Sequence, residues 1–401
     1  MKKLFFLIIA LTTVLVSCEK KVDLSLQYEV LKSEAEPKDL WLFTMSNHLL
    51  GIDPVTFEEK LNVKFNYSLS NPLYINEKIY VGERTSVHTA LQSSIWGYNI
   101  ICLNNDLTLN TEITVHPNTY SISINGDYLV ADTACYGIDE EKGLYSGFSV
   151  VDLKTSECIY KNESLNDMIC NIGGCWSYKN RLFLGTYPSR ANNDPFAVTI
   201  YNLDTKEFEA LNSNIFTSHA DEENLKWENA FVILNDNKLW INYYFYHTIC
   251  VYDLNTYDPE KQTCKRIAKI DLCKDYNIQE LSNEPDPNDI KYDENHSRIG
   301  DHGDYRMFIG QFVNGKYHVV LAPEHMDYFT ETSFNGILVI NPTTFELEKQ
   351  IRIKDFLKGV GEMKYSIADE DVLILRQYDN QIVTYDVNTG AVLEEKHVFE
   401  K

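Results

Sequence analysis

The chain predicts an all-β fold, a β-propeller of seven four-stranded blades, and three observations carry that expectation. A short phrase returns down its whole length: two or three apolar residues, then Asp or Asn, two further residues, and Thr. Every copy is embedded in the same succession of short strands and tight turns. No stretch carries a sustained helical period. Self-similarity at about 40 to 50 residues with four strands per unit is the signature of propeller blades.

The copies are Gly51-Ile52-Asp53-Pro54-Val55-Thr56, Val150-Val151-Asp152-Leu153-Lys154-Thr155 and Ile200-Tyr201-Asn202-Leu203-Asp204-Thr205. They continue as Val251-Tyr252-Asp253-Leu254-Asn255-Thr256, Val339-Ile340-Asn341-Pro342-Thr343-Thr344 and Thr384-Tyr385-Asp386-Val387-Asn388-Thr389. A degraded copy, Ile100 to Asn105, fills the interval between Asp53 and Asp152. The interval from Asp253 to Asn341 holds no further copy but an acidic insertion, roughly 276–304. Seven copies give seven blades; the spacing also admits six or eight.

The third unit shows the local grammar. Tyr120 to Ile124 alternates as a half-buried strand. Asn125-Gly126-Asp127 is a hairpin signal, Tyr128 to Ala131 the second strand, Phe148 to Val151 the third, and Glu157 to Tyr160 the fourth. Asp and Thr suit the turn between the third and fourth strands because their side chains bond nearby backbone N–H groups. First hairpins are expected at Lys179-Asn180, Asn235 to Asn237, Asn314 to Lys316 and Asp369 to Asp371. The segment Leu24 to Leu31 is expected to supply the first strand of the first blade, with the ring closed by contact and not by strand exchange.

The N-terminus sets an expected address. Lys2 and Lys3 precede an apolar run, Leu4 to Val16, that is too short for a permanent membrane span. It ends in Leu15-Val16-Ser17-Cys18, which resembles the lipobox of bacterial lipoproteins. The resemblance implies a signal peptide over 1–17, a lipidated, palmitate-bearing Cys18 with a tether over 18–23, and a single propeller domain over 24–401. It places the chain in the cell envelope as an outer-membrane lipoprotein, periplasmic or cell-surface facing, held to the membrane by its lipid alone and expected to be a monomer. Glu19-Lys20-Lys21 and the Asn, Tyr and Lys usage are similar to those of Bacteroidota lipoproteins.

The formal net charge of −23 repels phosphate backbones and anionic head groups, and no basic cluster interrupts it, which excludes nucleic acid as a partner. Beyond Cys18 there are eight cysteines, at 102, 135, 158, 170, 175, 250, 264 and 273. Their spacing matches no metal pattern, and no metal site is expected. Cys170 and Cys175 form one close pair, a possible local disulfide; Cys102, Cys158 and Cys250 read as buried thiols in strands.

In a four-stranded blade the first and third turns share one rim; the second loops and the blade-to-blade connections share the other. Here the first rim has turns of a few residues. The second has long loops at Glu83 to Ile95, Asp132 to Ser146, Thr186 to Phe196 and Ala322 to Asn335, and it also receives the acidic insertion. Long loops on a rigid scaffold are where binding concentrates. Candidate ligand-binding residues on that rim are Trp96, Tyr136, Trp176, Tyr187, Arg190, Tyr244, Tyr246, His325 and Tyr328, because aromatic rings with a polar handle suit sugar stacking or a protein partner. The insertion lacks the Gly and the terminal Glu of an EF-hand loop. No nucleophile elbow, zinc-protease motif or phosphate loop occurs, and no cofactor is expected.

The last copy, Asp386-Val-Asn-Thr389-Gly390, resembles the Asp-x-x-Thr-Gly segment of quinoprotein repeats. That family's following Trp is absent, with Leu393 and Glu394 in its place, so the resemblance implies the fold and not a quinone. As a whole the chain looks similar to β-propeller lipoproteins of Bacteroidota. The expected function is an envelope binding protein that captures a glycan or a protein partner on its long-loop rim. The alternative is a propeller-class polysaccharide lyase or hydrolase, with Arg84, His88, Arg190, His325 and Arg376 around an axial pocket, where a base and cations would face a uronate.

Overall fold

The computed structural model describes residues 25–86, 95–116, 119–136, 144–161, 175–185, 198–209, 216, 230–243, 248–278, 291–292, 298–299, 305–323, 334–353, 360–365, 371–377 and 381–397. Seven small antiparallel sheets form a ring, a seven-bladed β-propeller. The third sheet, Thr119–Asn125, Tyr128–Tyr136, Leu144–Asp152 and Glu157–Lys161, runs in chain order from one edge to the other, and the fourth to seventh sheets do the same. In the second sheet the edge strand is split into Tyr67–Leu69 and Leu73–Ile75, both pairing with Lys78–Ser86.

The core consists of the seams between sheets. Seven buried apolar clusters occupy seven successive interfaces among the described residues. Each blade is covered on both faces, so its middle strands are apolar without alternation: Ile79, Tyr80 and Val81 are all buried, as are Leu239, Trp240 and Ile241. The seventh cluster closes the ring, packing Phe43, Met45, Leu50 and Ile52 of the first sheet against Ile374 and Ile382 of the last. No described sheet mixes strands from the two ends of the chain, so closure is by side-chain packing.

The recurrent phrase is explained by its turn. Asp53 Oδ1 accepts from the backbone N–H groups of Val55 and Thr56, both at 2.8 Å. Asn202, Asn341 and Asp386 repeat this on the residues two and three positions ahead, and Asp152 does so on Lys154. Four residues after the Asp or Asn the chain turns left-handed, at Phe57, Ser156, Lys206, Phe345 and Gly390 (φ 57, 58, 58, 62 and 69°). At Phe57, Lys206, Phe345 and Gly390 the left-handed residue's N–H donates back to the Asp or Asn carbonyl and closes the turn, and a register shift follows in the pairing with the next strand, as between Val339 and Ile340. In the degraded unit Asp106 takes over, accepting from the Thr108 N–H at 3.0 Å. The first hairpins are two-residue turns with both φ values positive at Asn76-Glu77, Asp236-Asn237 and Asn314-Gly315.

Two expectations are corrected. The N-terminal strand, Tyr28–Ser33, is not the first strand of the first blade: it pairs with Glu59–Phe65 at the edge opposite Trp41–Met45. The fifth copy does not end its strand. Thr248–Asp258 runs through Asp253 to Thr256, and the turn moves on to Asp258, whose carboxylate accepts from Glu260 and Lys261 N–H. The insertion over 276–304 is anchored at its start by structured chain. A helical turn, Leu272–Asp275, is capped by the Asp271 carboxylate, and the Tyr276 hydroxyl donates to the Phe345 carbonyl at 2.8 Å. Within the insertion Lys291–Tyr292 pairs with Arg298–Ile299; most of its remainder lies outside the described residues.

Candidate functional site

Antiparallel order puts alternate turns at opposite ends of each sheet, which gives the ring two unlike rims. On one, strands are joined by two residues, as between Asn125 and Tyr128, Tyr178 and Arg181, or Val313 and Lys316, or by the Asp-capped turns. On the other, the connections run from Ser86 to Ile95, Tyr136 to Leu144, Gly185 to Val198 and Pro323 to Gly336 within blades. Between blades they run from Lys161 to Cys175, Phe208 to Ala230 and Asp271 to Tyr305.

Of the expected site residues, Trp96, Tyr136, Trp176 and Arg376 stand near strand ends on this second rim. Trp96 pairs with Thr85, Tyr136 with Leu144, and Arg376 with Ile382 and Glu362. Cys175 opens the fourth sheet opposite Leu184. His88, Tyr187, Arg190, Tyr244, Tyr246, His325 and Tyr328, with Cys18, Cys170 and the leader over 1–17, lie outside the described residues.

Trp176 has a structural partner. Its indole N–H donates to the Val232 carbonyl at 2.8 Å and its ring packs against the seam between the fourth and fifth sheets. Asn242 and Tyr243 belong to the strand Lys238–Tyr243 and are buried. The Tyr243 hydroxyl donates to the Phe216 carbonyl at 2.8 Å, pinning the connection from the fourth sheet to the fifth at this rim. Phe216 in turn meets Phe183 and Tyr252 edge-on.

The chemically loaded point of the rim is Glu83, which the sequence places at the start of a long loop and the structure places within the strand Lys78–Ser86. It ends the apolar run Ile79 to Gly82 on the second strand of sheet two, and it is 2% exposed. Its Oε2 accepts from Tyr98 N–H (3.2 Å), Asn99 N–H (3.2 Å) and Asn99 Nδ2 (3.0 Å). Gly97 lies so close that a side chain there would overlap the Glu83 side chain, and the Gly97 N–H donates to the Arg84 carbonyl at 2.6 Å. Asn99 Nδ2 also reaches Glu112 Oε2 at 3.4 Å. Burial, with some help from the Glu112 charge and against the pull of the three N–H donors, raises the Glu83 carboxyl to about 7. A carboxylate directly after the apolar run Ile79 to Gly82 was the available sequence signal.

A shallow groove of about 780 Å³ lies on the opposite rim, between the first two sheets, lined by Glu34, Glu36, Asn76, Glu77 and Asp106 among others. Its carboxylates are solvated and partly neutralised, Glu36 by Lys38 at 2.7 Å and Glu34 by Lys32 at 3.4 Å, so it is an open cleft and not a shaped site. Among the described residues no three His, Cys, Asp or Glu side chains converge to hold a metal ion. Burial raises the thiols of Cys102, Cys158 and Cys264 above the usual range, Cys264 to about 11.

No protein-family model and no curated protein matches the chain. Among solved structures it is similar to the computationally designed protein Ika8, at 10% identity over 94% of this chain and 89% of that one, with a TM-score of 0.48. It is also similar to dihydro-heme d1 dehydrogenase NirN in complex with DHE, at 13% identity over 92% of this chain and 77% of that one, with a TM-score of 0.46.

Proposed function

We propose that this chain is a binding propeller of the cell envelope, moored through a lipidated Cys18, which captures a glycan or a protein partner on its long-connection rim. The one-sided distribution of connection length carries this reading: the longest connections, such as Gly185 to Val198 and Phe208 to Ala230, lie at one rim, which also keeps short ones such as Met45 to His48 and Tyr243 to Thr248, while the other rim has none of that length between the described strands. A rigid ring with one elaborated rim is suited to presenting loops, since the scaffold bears the folding stability while the loops are free to vary. Trp96 and Tyr136 stand at the ends of strands on that rim. Tyr187, Arg190, Tyr244, Tyr246, His325 and Tyr328 belong by sequence to its loops. The buried carboxylate at this rim is bound to backbone N–H groups and is closed off from solvent, which supports a binding role over an acid–base one.

The test is a glycan array probed with residues 19–401. Capture of a defined glycan class is expected, with Tyr187→Ala or Trp96→Ala weakening it about tenfold, equivalent to about 1.4 kcal/mol. An array without a bound member, or capture indifferent to both substitutions, removes the glycan reading. The anchor is tested separately. Cys18→Ala should abolish palmitate incorporation and release the protein from the membrane fraction; a Cys18→Ala protein that stays labelled and membrane-bound contradicts it.

A further inference from the structure

The corner Gly97–Asn99 is where the connection after Ser86 re-enters the second sheet, directly behind the Trp96 backbone position. Val115 N–H to the Tyr98 carbonyl (2.7 Å) and Thr114 Oγ1 to Asn99 Oδ1 (3.2 Å) tie it to the outer strand, whereas its contacts with the second strand are few. Gly97 N–H bonds the Arg84 carbonyl, Gly97 lies flat on the Glu83 side chain, and Glu83 Oε2 gathers three N–H groups from Tyr98 and Asn99. All three bonds fall on one carboxyl oxygen, so a proton on the other, Oε1, leaves them intact. The surroundings oppose ionisation. Glu112, reached through the shared Asn99 amide, is the charged side chain facing this carboxyl among the described residues. Leu69, opposite Glu83 in the strand pair, and Thr119, which closes over Gly82, bring no charge. Arg84 alternates to the other face of its strand.

We propose that Glu83 is a proton-operated latch: as the neutral acid it holds the Gly97–Asn99 corner against the second strand, and on losing its proton to solvent it releases that corner. The driving force is the cost of keeping a carboxylate in a buried site beside Glu112, which opening relieves by hydrating both groups. With the closed corner's carboxyl raised to about 7 and the open corner's at its ordinary 4.5, the open fraction rises roughly tenfold between pH 6 and pH 8 and then levels off. The latch involves no assumption about what the rim binds, so it stands or falls independently of the proposed ligand.

Hydrogen–deuterium exchange of the mature chain, read on peptides covering 95–100 and corrected for the intrinsic rate at each pH, tests it. The wild type should lose roughly tenfold in protection of the Tyr98 and Asn99 amides from pH 6 to pH 8. Glu83→Gln, which keeps an acceptor oxygen and cannot ionise, should show no such change. Parallel behaviour of the two proteins overturns the latch. Should Glu83→Gln fail to fold, Glu112→Gln at an exposed position serves instead: with the like charge removed, the release should move to lower pH, and an unmoved release contradicts the assignment.

Discussion

Lys206 shows what the sequence pattern leaves out. The Asp-x-x-Thr chemistry was legible because side-chain acceptors at a turn have a reason to be there. The left-handed residue that follows was not, because only Gly390 announces it and Phe57, Ser156, Lys206 and Phe345 occupy the same conformation without the usual glycine. A non-glycine residue in that region carries about 1 kcal/mol of backbone strain. Lys206→Gly, at an exposed position, is therefore expected to raise unfolding stability by up to about 1 kcal/mol in urea titration. Gly390→Ala should lower it by about 2 kcal/mol or more, because a Cβ there overlaps the Arg352 carbonyl oxygen. Glu83 makes a second prediction at this scale. Its folded-state carboxyl sits near 7 against an ordinary 4.5, so between those values the native protein keeps a proton that the unfolded chain has lost. Stability from this group is thus present at low pH and is lost as pH rises through that window, by about 3 kcal/mol in all. His318 acts in the opposite sense. Burial lowers it to about 4, so its contribution is lost as pH falls from 6.5 toward 4. The two partly cancel in the wild type, and the difference between wild type and Glu83→Gln isolates the first: the variant should gain on the wild type from pH 5 to pH 7 and level off by pH 8. A constant difference across that range would contradict the burial argument.

Among the elements, the blade-five hairpin repays closest attention. Sequence periodicity locates its phrase but not its length, since the strand simply continues past Thr256 to Asp258. What holds the extra turn is a neighbour distant in sequence. The Tyr257 hydroxyl donates to Glu209 Oε2 at 2.7 Å, while Glu209 Oε1 accepts from Arg181 Nε at 2.7 Å and from Asn202 Nδ2 at 3.1 Å. Arg181 also lies over the Tyr257 ring. The extended hairpin is thereby fastened onto the fourth sheet, and such contacts are spatial facts that no single-sequence pattern encodes. Removing one charge-assisted bond from this half-buried group should cost about 1.5 to 3 kcal/mol, so Tyr257→Phe is expected to unfold at correspondingly lower urea; an unchanged midpoint would show the hairpin to be free. The misplaced N-terminal strand has the same origin. Tyr28–Ser33 has the right composition for a strand, and only the partner, Glu59–Phe65, decides which edge it takes.

For the whole molecule, seven sheets separated by seven apolar seams are what seven phrases imply, and the ring was accordingly legible from end to end. The closing seam differs from the others in joining the two ends of the chain without a shared strand. Ile374, buried there against the first sheet, is expected to cost about 2 to 4 kcal/mol on replacement by Ala, measured by urea or thermal unfolding. The candidate site was legible only as a rim. Loop chemistry depends on which side chains converge across blades, and residues such as Tyr187 and His325 are brought near or kept apart by backbone paths that periodicity does not fix. The most direct measurement is therefore rim against rim: binding of the array-identified glycan to a variant whose residues 186–197 are replaced by a two-residue turn, beside a Glu36→Lys, Glu77→Lys variant of the opposite groove. The loop replacement should reduce affinity tenfold or more, on the order of 1.4 kcal/mol, while the groove variant binds as the parent does. Affinity lost in the groove variant and retained after loop replacement would contradict the assignment of function to the long-connection rim.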